Sequence, residues 1–179
     1  MNRAISVGNK KRPEKHPGEM EPDWRELCEE KFLQNIFRNL DQELNDKILE
    51  MIIPVKYRED DLIFQEGALS DGVYFICRGF AVYGKKFNGD SDRKRILKLL
   101  GPGDILGEET LFGSNLESRF GYARSIVKTQ LLFLERAKIL ELFSNQPDLL
   151  RDFCFNLTRQ LKKLEVKLIE EGFLTTDKR

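Results

Sequence analysis

Between residues 54 and 134 the chain breaks into short apolar runs separated by turn residues, and this pattern constrains the fold more than any other feature. The runs are VKY, LIF, GVYFICRGFAVYGK, RILKLL, YARSIV and LLFL. Gly67, Gly72, Gly79, Gly89, Gly101, Gly103 and Gly113 punctuate them. Runs this short read as strands rather than helices. Asn88-Gly89 signals a tight hairpin, whose two central residues need positive φ. Many short strands at even spacing predict a mainly β fold, an antiparallel barrel or jelly roll.

Helical patterns flank this block. Leu27, Phe32, Ile36, Leu40, Leu44 and Ile48 recur at helical spacing, and Asp41 among them is placed to cap a second helix. Beyond the strands, residues 136–144 read as a short helix. Asn145-Gln146-Pro147-Asp148 then breaks the pattern, with Pro147 suited to the first turn of a new helix. That helix is predicted to run to about Glu171, with Gly172 as its C-cap. Leu150, Phe153, Leu157, Leu161, Leu164 and Leu168 form its apolar stripe, a heptad pattern containing a stutter. The stripe fits two arrangements: packing on the chain's own barrel, or pairing with a second copy about a two-fold axis. Its length favours pairing. Residues 1–24 are polar, without apolar periodicity, and read as a disordered tail.

Composition excludes several classes of function. Thirty basic and thirty acidic residues leave no net charge, which argues against a nucleic-acid-binding domain. The single histidine, His16, lies in the polar tail, so the folded part has no imidazole for a Ser-His-Asp triad, a His-rich zinc site or a cupin-type centre. Cys28, Cys77 and Cys154 are too dispersed for an iron–sulfur or zinc site and read as single thiols in a reducing cytosol. No apolar run approaches the ~20 residues of a membrane span, and no secretory h-region is present. The expectation is a cytoplasmic non-enzyme without a metal.

The chemistry is concentrated in residues 102–112, PGDILGEETLF, followed by Arg119. Gly103 and Gly107 let the backbone turn and approach a ligand closely. Residues 108–111 suit one helical turn, whose leading N–H groups favour an anion. Glu108 offers an acceptor suited to a sugar hydroxyl, and Arg119 a fork of donors suited to a phosphate. A simpler reading also stands: Glu108 and Arg119 as an ion pair in a barrel that binds nothing.

From about Leu27 to Arg179 the chain resembles the cyclic AMP receptor protein (CRP/FNR) family of regulators. The landmarks, in order, are LIFQEG, VYFICRG, PGDILGEETLF, Arg119 and the NQPDLL opening of the long helix. The resemblance implies a double-stranded β-helix barrel of cyclic-nucleotide-binding type with a long C-terminal dimerisation helix. It also implies that Gly107 makes a backbone contact to the ligand, that Glu108 holds the ribose 2′-hydroxyl and that Arg119 pairs with the cyclic phosphate. Leu100, Phe120 and Leu164 complete the expected ligand-binding set. Three positions depart from the pattern. Phe120 stands where nucleotide binders carry Ser, Thr or Ala, Glu109 where an apolar residue is usual, and Leu164-Glu165 where adenine-reading hydroxyls lie.

The resulting organisation is a tail (1–24), a sensing β-roll with N-terminal helices (25–145), a dimerisation helix (146–172) and the start of an absent DNA-binding domain (173–179). The expected effector is cyclic AMP or cyclic GMP, the expected partner a second copy, and DNA is reached only through the missing helix-turn-helix. The rival readings are a dimerisation module that binds no ligand or another small molecule, a cupin-like enzyme, and a regulatory subunit for another protein. Arg119→Ala is expected to remove binding and spare the fold.

Overall fold

The computed structural model of the chain describes Leu33, Ile36, Phe37 and residues 40–86, 94–112 and 118–170. The expectations for the tail, Leu27, Phe32, the Asn88-Gly89 turn, Gly113, Gly172 and residues 173–179 lie outside these.

Helix α1 (Gln42–Met51) starts where Asp41 accepts a hydrogen bond from the Leu44 N–H at 2.8 Å. The strands follow: β1 (Ile53–Tyr57), β2 (Leu62–Phe64), β3 (Gly72–Arg78), β4 (Ala81–Lys86), β5 (Lys94–Leu100), β6 (Ile105–Leu106), β7 (Tyr122–Ser125) and β8 (Thr129–Glu135). Helices α2 (Arg136–Asn145) and α3 (Pro147–Glu170) end the described chain. The strands form two four-stranded antiparallel sheets, ordered β1-β8-β3-β6 and β2-β7-β4-β5. This is the expected jelly roll with a long C-terminal helix. β4 and β5 pair antiparallel from Lys86↔Lys94 inward, as a hairpin requires.

Two apolar clusters hold the sheets and helices together. Tyr74, Ile76, Leu131 and Phe133 face the barrel interior with Phe64, Tyr83 and Leu100. Their alternating neighbours Val73, Phe75, Leu132 and Leu134 face outward against Ile36, Ile48, Ile139, Leu149 and Phe153. Strands β3 and β8 are thus buried on both faces. For that reason GVYFIC and LLFL read as unbroken apolar runs rather than as an alternation.

The long helix corrects one expectation. Phe153 is fully buried in the core, and the barrel-facing residues of α3 are Leu149, Asp152, Phe153, Asn156 and Gln160. Leu161 and Leu168 are 55% and 44% exposed, on a neighbouring face. Phe153 therefore marks the barrel-facing side of the helix, with Leu150 and Leu157 half-buried against the same core. With Cys154 in its place, Leu150, Cys154, Leu157, Leu161, Leu164 and Leu168 follow a regular four-three heptad, and the stutter disappears. Phe153→Ala should lower stability by about 3–5 kcal/mol, as buried aromatic truncations do, measured by urea denaturation.

Candidate functional site

The PGD turn positions the site. Gly103 adopts φ +87°, and its N–H donates to the Ile76 carbonyl at 2.9 Å. The Asp104 carboxylate accepts from the Gly101 N–H at 3.0 Å, which closes the turn. Two strand residues later the chain reaches Gly107, at φ 82° and ψ 14°, a left-handed conformation that favours glycine. Glu108–Thr110 follow as a 3-10 turn, closed by the Leu111 N–H on the Glu108 carbonyl at 3.1 Å.

Arg119 comes to Gly107 from across the barrel. Its side chain is 1% exposed. Nη1 donates to the Gly107 carbonyl at 3.2 Å, and Nη2 to the Gly72 carbonyl at 2.6 Å. Nη2 also meets Asp71 Oδ1 at 3.3 Å. The Phe64 ring lies 4.4 Å from the guanidinium carbon, so a cation–π contact adds to the polar ones. The fork is thus fixed in direction by protein acceptors on both of its terminal nitrogens. A Cβ on Gly107 would collide with Arg119 Nη1, so the glycine is required by this close approach as well as by its φ.

Glu108 and Arg119 do not pair with each other, contrary to the simpler reading of the sequence. Glu108 Oε1 binds Lys98 Nζ at 2.9 Å, and Arg119 takes Asp71. The structure does bring Gly107, Glu108 and Arg119 together, and buries Leu100 in the barrel wall among the interior residues. Phe120, expected in the ligand-binding set, lies at the surface. It is 55% exposed, with its ring under Lys85 Nζ at 3.3 Å. Leu164 is half-buried on α3, next to Lys163, whose ammonium binds Asp104 Oδ1 at 2.8 Å. Glu109 does not simply point to solvent. Its carboxylate accepts a long 3.5 Å bond from Tyr83 Oη, and partial burial, then the adjacent Glu108, push its carboxyl above the usual carboxylate range.

Asp71, Gly72, Tyr83 and Lys98 were missed. Asp71 precedes β3 and Gly72 opens it, and neither carries a motif. Lys98 interrupts the apolar run RILKLL, a faint signal that it faces something polar. Among the described residues no three His, Cys, Asp or Glu side chains gather to hold a metal ion, and no helix is long and apolar enough to cross a membrane.

Because Arg119 also satisfies two buried carbonyls, its removal is structural as well as chemical, and Arg119→Ala should not spare the fold. Unmet buried acceptors cost about 1–3 kcal/mol each. Gly107→Ala should lower unfolding free energy by about 1–3 kcal/mol through the positive φ alone and displace the guanidinium. Denaturation curves and the Arg119 side-chain NMR signals check both effects.

Comparison with known proteins agrees with this geometry. The cyclic nucleotide-binding domain family matches residues 54–146, just over half of the chain. A Drosophila melanogaster cGMP-dependent protein kinase is 27% identical over 110 residues, 62% of this chain and 12% of the kinase. A CRP-like cAMP-activated global transcriptional regulator of Mycobacterium tuberculosis is 22% identical over 135 residues, 75% of this chain and 58% of that protein. The crystal structure of the Thermus thermophilus catabolite activator protein superimposes with a TM-score of 0.61 at 27% identity, covering 78% of this chain and 63% of that one. The chain thus spans less than two thirds of each of these three proteins. With Gly107, Glu108 and Arg119 gathered on a jelly-roll barrel, and the family match running from within β1 through β8, the chain belongs to the cyclic nucleotide-binding domain family.

Proposed function

We propose that this chain is the effector-sensing and dimerisation part of a CRP/FNR-type transcription regulator, without catalytic activity of its own, and that its effector is a cyclic nucleotide. Residues 25–145 form the sensing unit and 146–172 the dimerisation helix. The observation that carries the reading is the Arg119 fork held against the Gly107 carbonyl. A cyclic phosphate pairs with the Arg119 guanidinium, and Glu108 accepts from the ribose 2′-hydroxyl. Isothermal titration with cyclic AMP and cyclic GMP tests this. Arg119→Lys, which keeps the charge but loses the fork, should weaken binding at least about tenfold. Unchanged affinity in that variant contradicts the assignment.

A specific observation favours a second reading, a dimerisation module without ligand: Arg119 is already buried and satisfied by protein groups. Absence of binding to either nucleotide in the same titration selects it.

Signal transmission follows from the contacts of α3. Lys163 binds Asp104, and Arg159 Nη2 reaches the Gly103 carbonyl at 3.4 Å. The helix therefore grips the turn that leads into Gly107, and a shift of that turn on binding changes how two helices pack. Pairing uses the Leu150–Cys154–Leu157–Leu161–Leu164–Leu168 seam, half of it solvent-exposed at Cys154, Leu161 and Leu168. In a parallel two-fold pair Cys154 meets its counterpart at about 6 Å between Cα atoms, within disulfide range. Mild oxidation should give a dimer-mass species on a non-reducing gel that Cys154→Ser abolishes. A monomeric mass by light scattering together with no cross-link would refute the pairing.

A further inference from the structure

We propose that Lys98 is the counter-cation that keeps this pocket receptive to an anionic ligand, by neutralising Glu108 where Glu109 places a second carboxylate beside it. The inference rests on the reading of Arg119 as the anion-binding group. Three carboxylates crowd the approach to that guanidinium, and each has its own partner. Asp71 meets Arg119 at 3.3 Å, Glu108 meets Lys98 at 2.9 Å, and Glu109 accepts from Tyr83 Oη at 3.5 Å. Arg119 is thereby offset by Asp71, and among the described residues Lys98 is the cation paired with Glu108.

The placement of Lys98 supports the role. It lies opposite Tyr83 in the β4–β5 ladder, where the register shifts between Tyr83 and Gly84. A bulge at that point re-aims side chains on a strand that is otherwise alternating. Lys98 Nζ sits 5.4 Å from the Tyr83 ring centroid, and the hydroxyl of the same tyrosine holds the Glu109 carboxylate. Its neighbours Ile96, Leu97 and Leu99 are exposed apolar residues, while the one ammonium of the run turns inward. The Lys98 and Glu108 side chains are 26% and 15% exposed. Sheltered charges of this kind are screened less than surface pairs, so loss of one is felt at the site. The crowding is visible in Glu109 itself, whose carboxyl is raised by burial and by Glu108.

The test is titration of the full chain with cyclic AMP and cyclic GMP in wild type, Lys98→Met, Lys98→Arg, Glu109→Gln and the Lys98→Met/Glu109→Gln pair, with thermal melting to establish folding. Lys98→Met keeps the aliphatic stem and should bind about tenfold more weakly, the scale of one uncompensated charge a few ångströms away in a partly solvated site. Lys98→Arg should restore binding. Glu109→Gln should tighten it, and should recover most of the loss in the double variant. Glu109→Gln leaves Lys98 in place, so it remains informative even if Lys98→Met fails to fold. Wild-type binding with an unchanged Lys98→Met, or a double variant no better than Lys98→Met, overturns this role alone. A wild type that binds neither nucleotide overturns the role and the underlying reading of Arg119 together.

Discussion

A guanidinium that is 1% exposed inside a β-barrel is the constraint on which the rest of this structure depends. Arginine does not lose its proton in proteins, so burial obliges the surroundings to supply acceptors. They come from separate stretches of the chain: the Gly72 carbonyl at the start of β3, Asp71 before it, and the Gly107 carbonyl after β6. The backbone of Arg119 adds two more ties, its carbonyl accepting from Gly67 and its N–H donating to the Ala68 carbonyl, both at 2.8 Å. One residue thus joins the β2–β3 connection to the turn after β6. Glycine at position 107 is the local consequence, since any Cβ there would displace the fork.

The long helix is bound to this arrangement through polar contacts as well as apolar ones. Phe153 and Leu149 anchor its first turns in the outer core. Further along, Asn156 Nδ2 donates to the Ile36 carbonyl at 2.6 Å, and Arg159 and Lys163 reach the PGD turn. Asn156 Oδ1 and both polar atoms of Gln160 are buried without a hydrogen-bond partner. Unmet buried polar groups weaken packing, so this face of the helix is held less firmly by its polar residues than by its apolar ones.

Much of this was legible in the sequence, for identifiable reasons. The jelly-roll class follows from the spacing of apolar runs and glycines, and Asp41 and Pro147 mark helix starts through local chemistry that tertiary contacts do not override. Gly107, Glu108 and Arg119 are legible as a group because they share one motif. The partners of Arg119 are not, because carbonyls carry no sequence signal and Asp71 lies forty-eight residues away along the chain. Periodicity alone placed Phe153 with the exposed leucines, since a helix with two adjoining apolar stripes reads as one broad stripe. Likewise, nothing in RILKLL reveals that a register shift aims Lys98 at Glu108.

In the proposed function the Arg119 guanidinium is the group that meets the ligand. Its side-chain N–H resonances, followed by NMR during addition of cyclic AMP, test this without altering any residue. The Nε and Nη signals of Arg119 should shift progressively and saturate with the binding isotherm. Saturable binding that leaves those signals unmoved would contradict it and place the ligand elsewhere on the barrel.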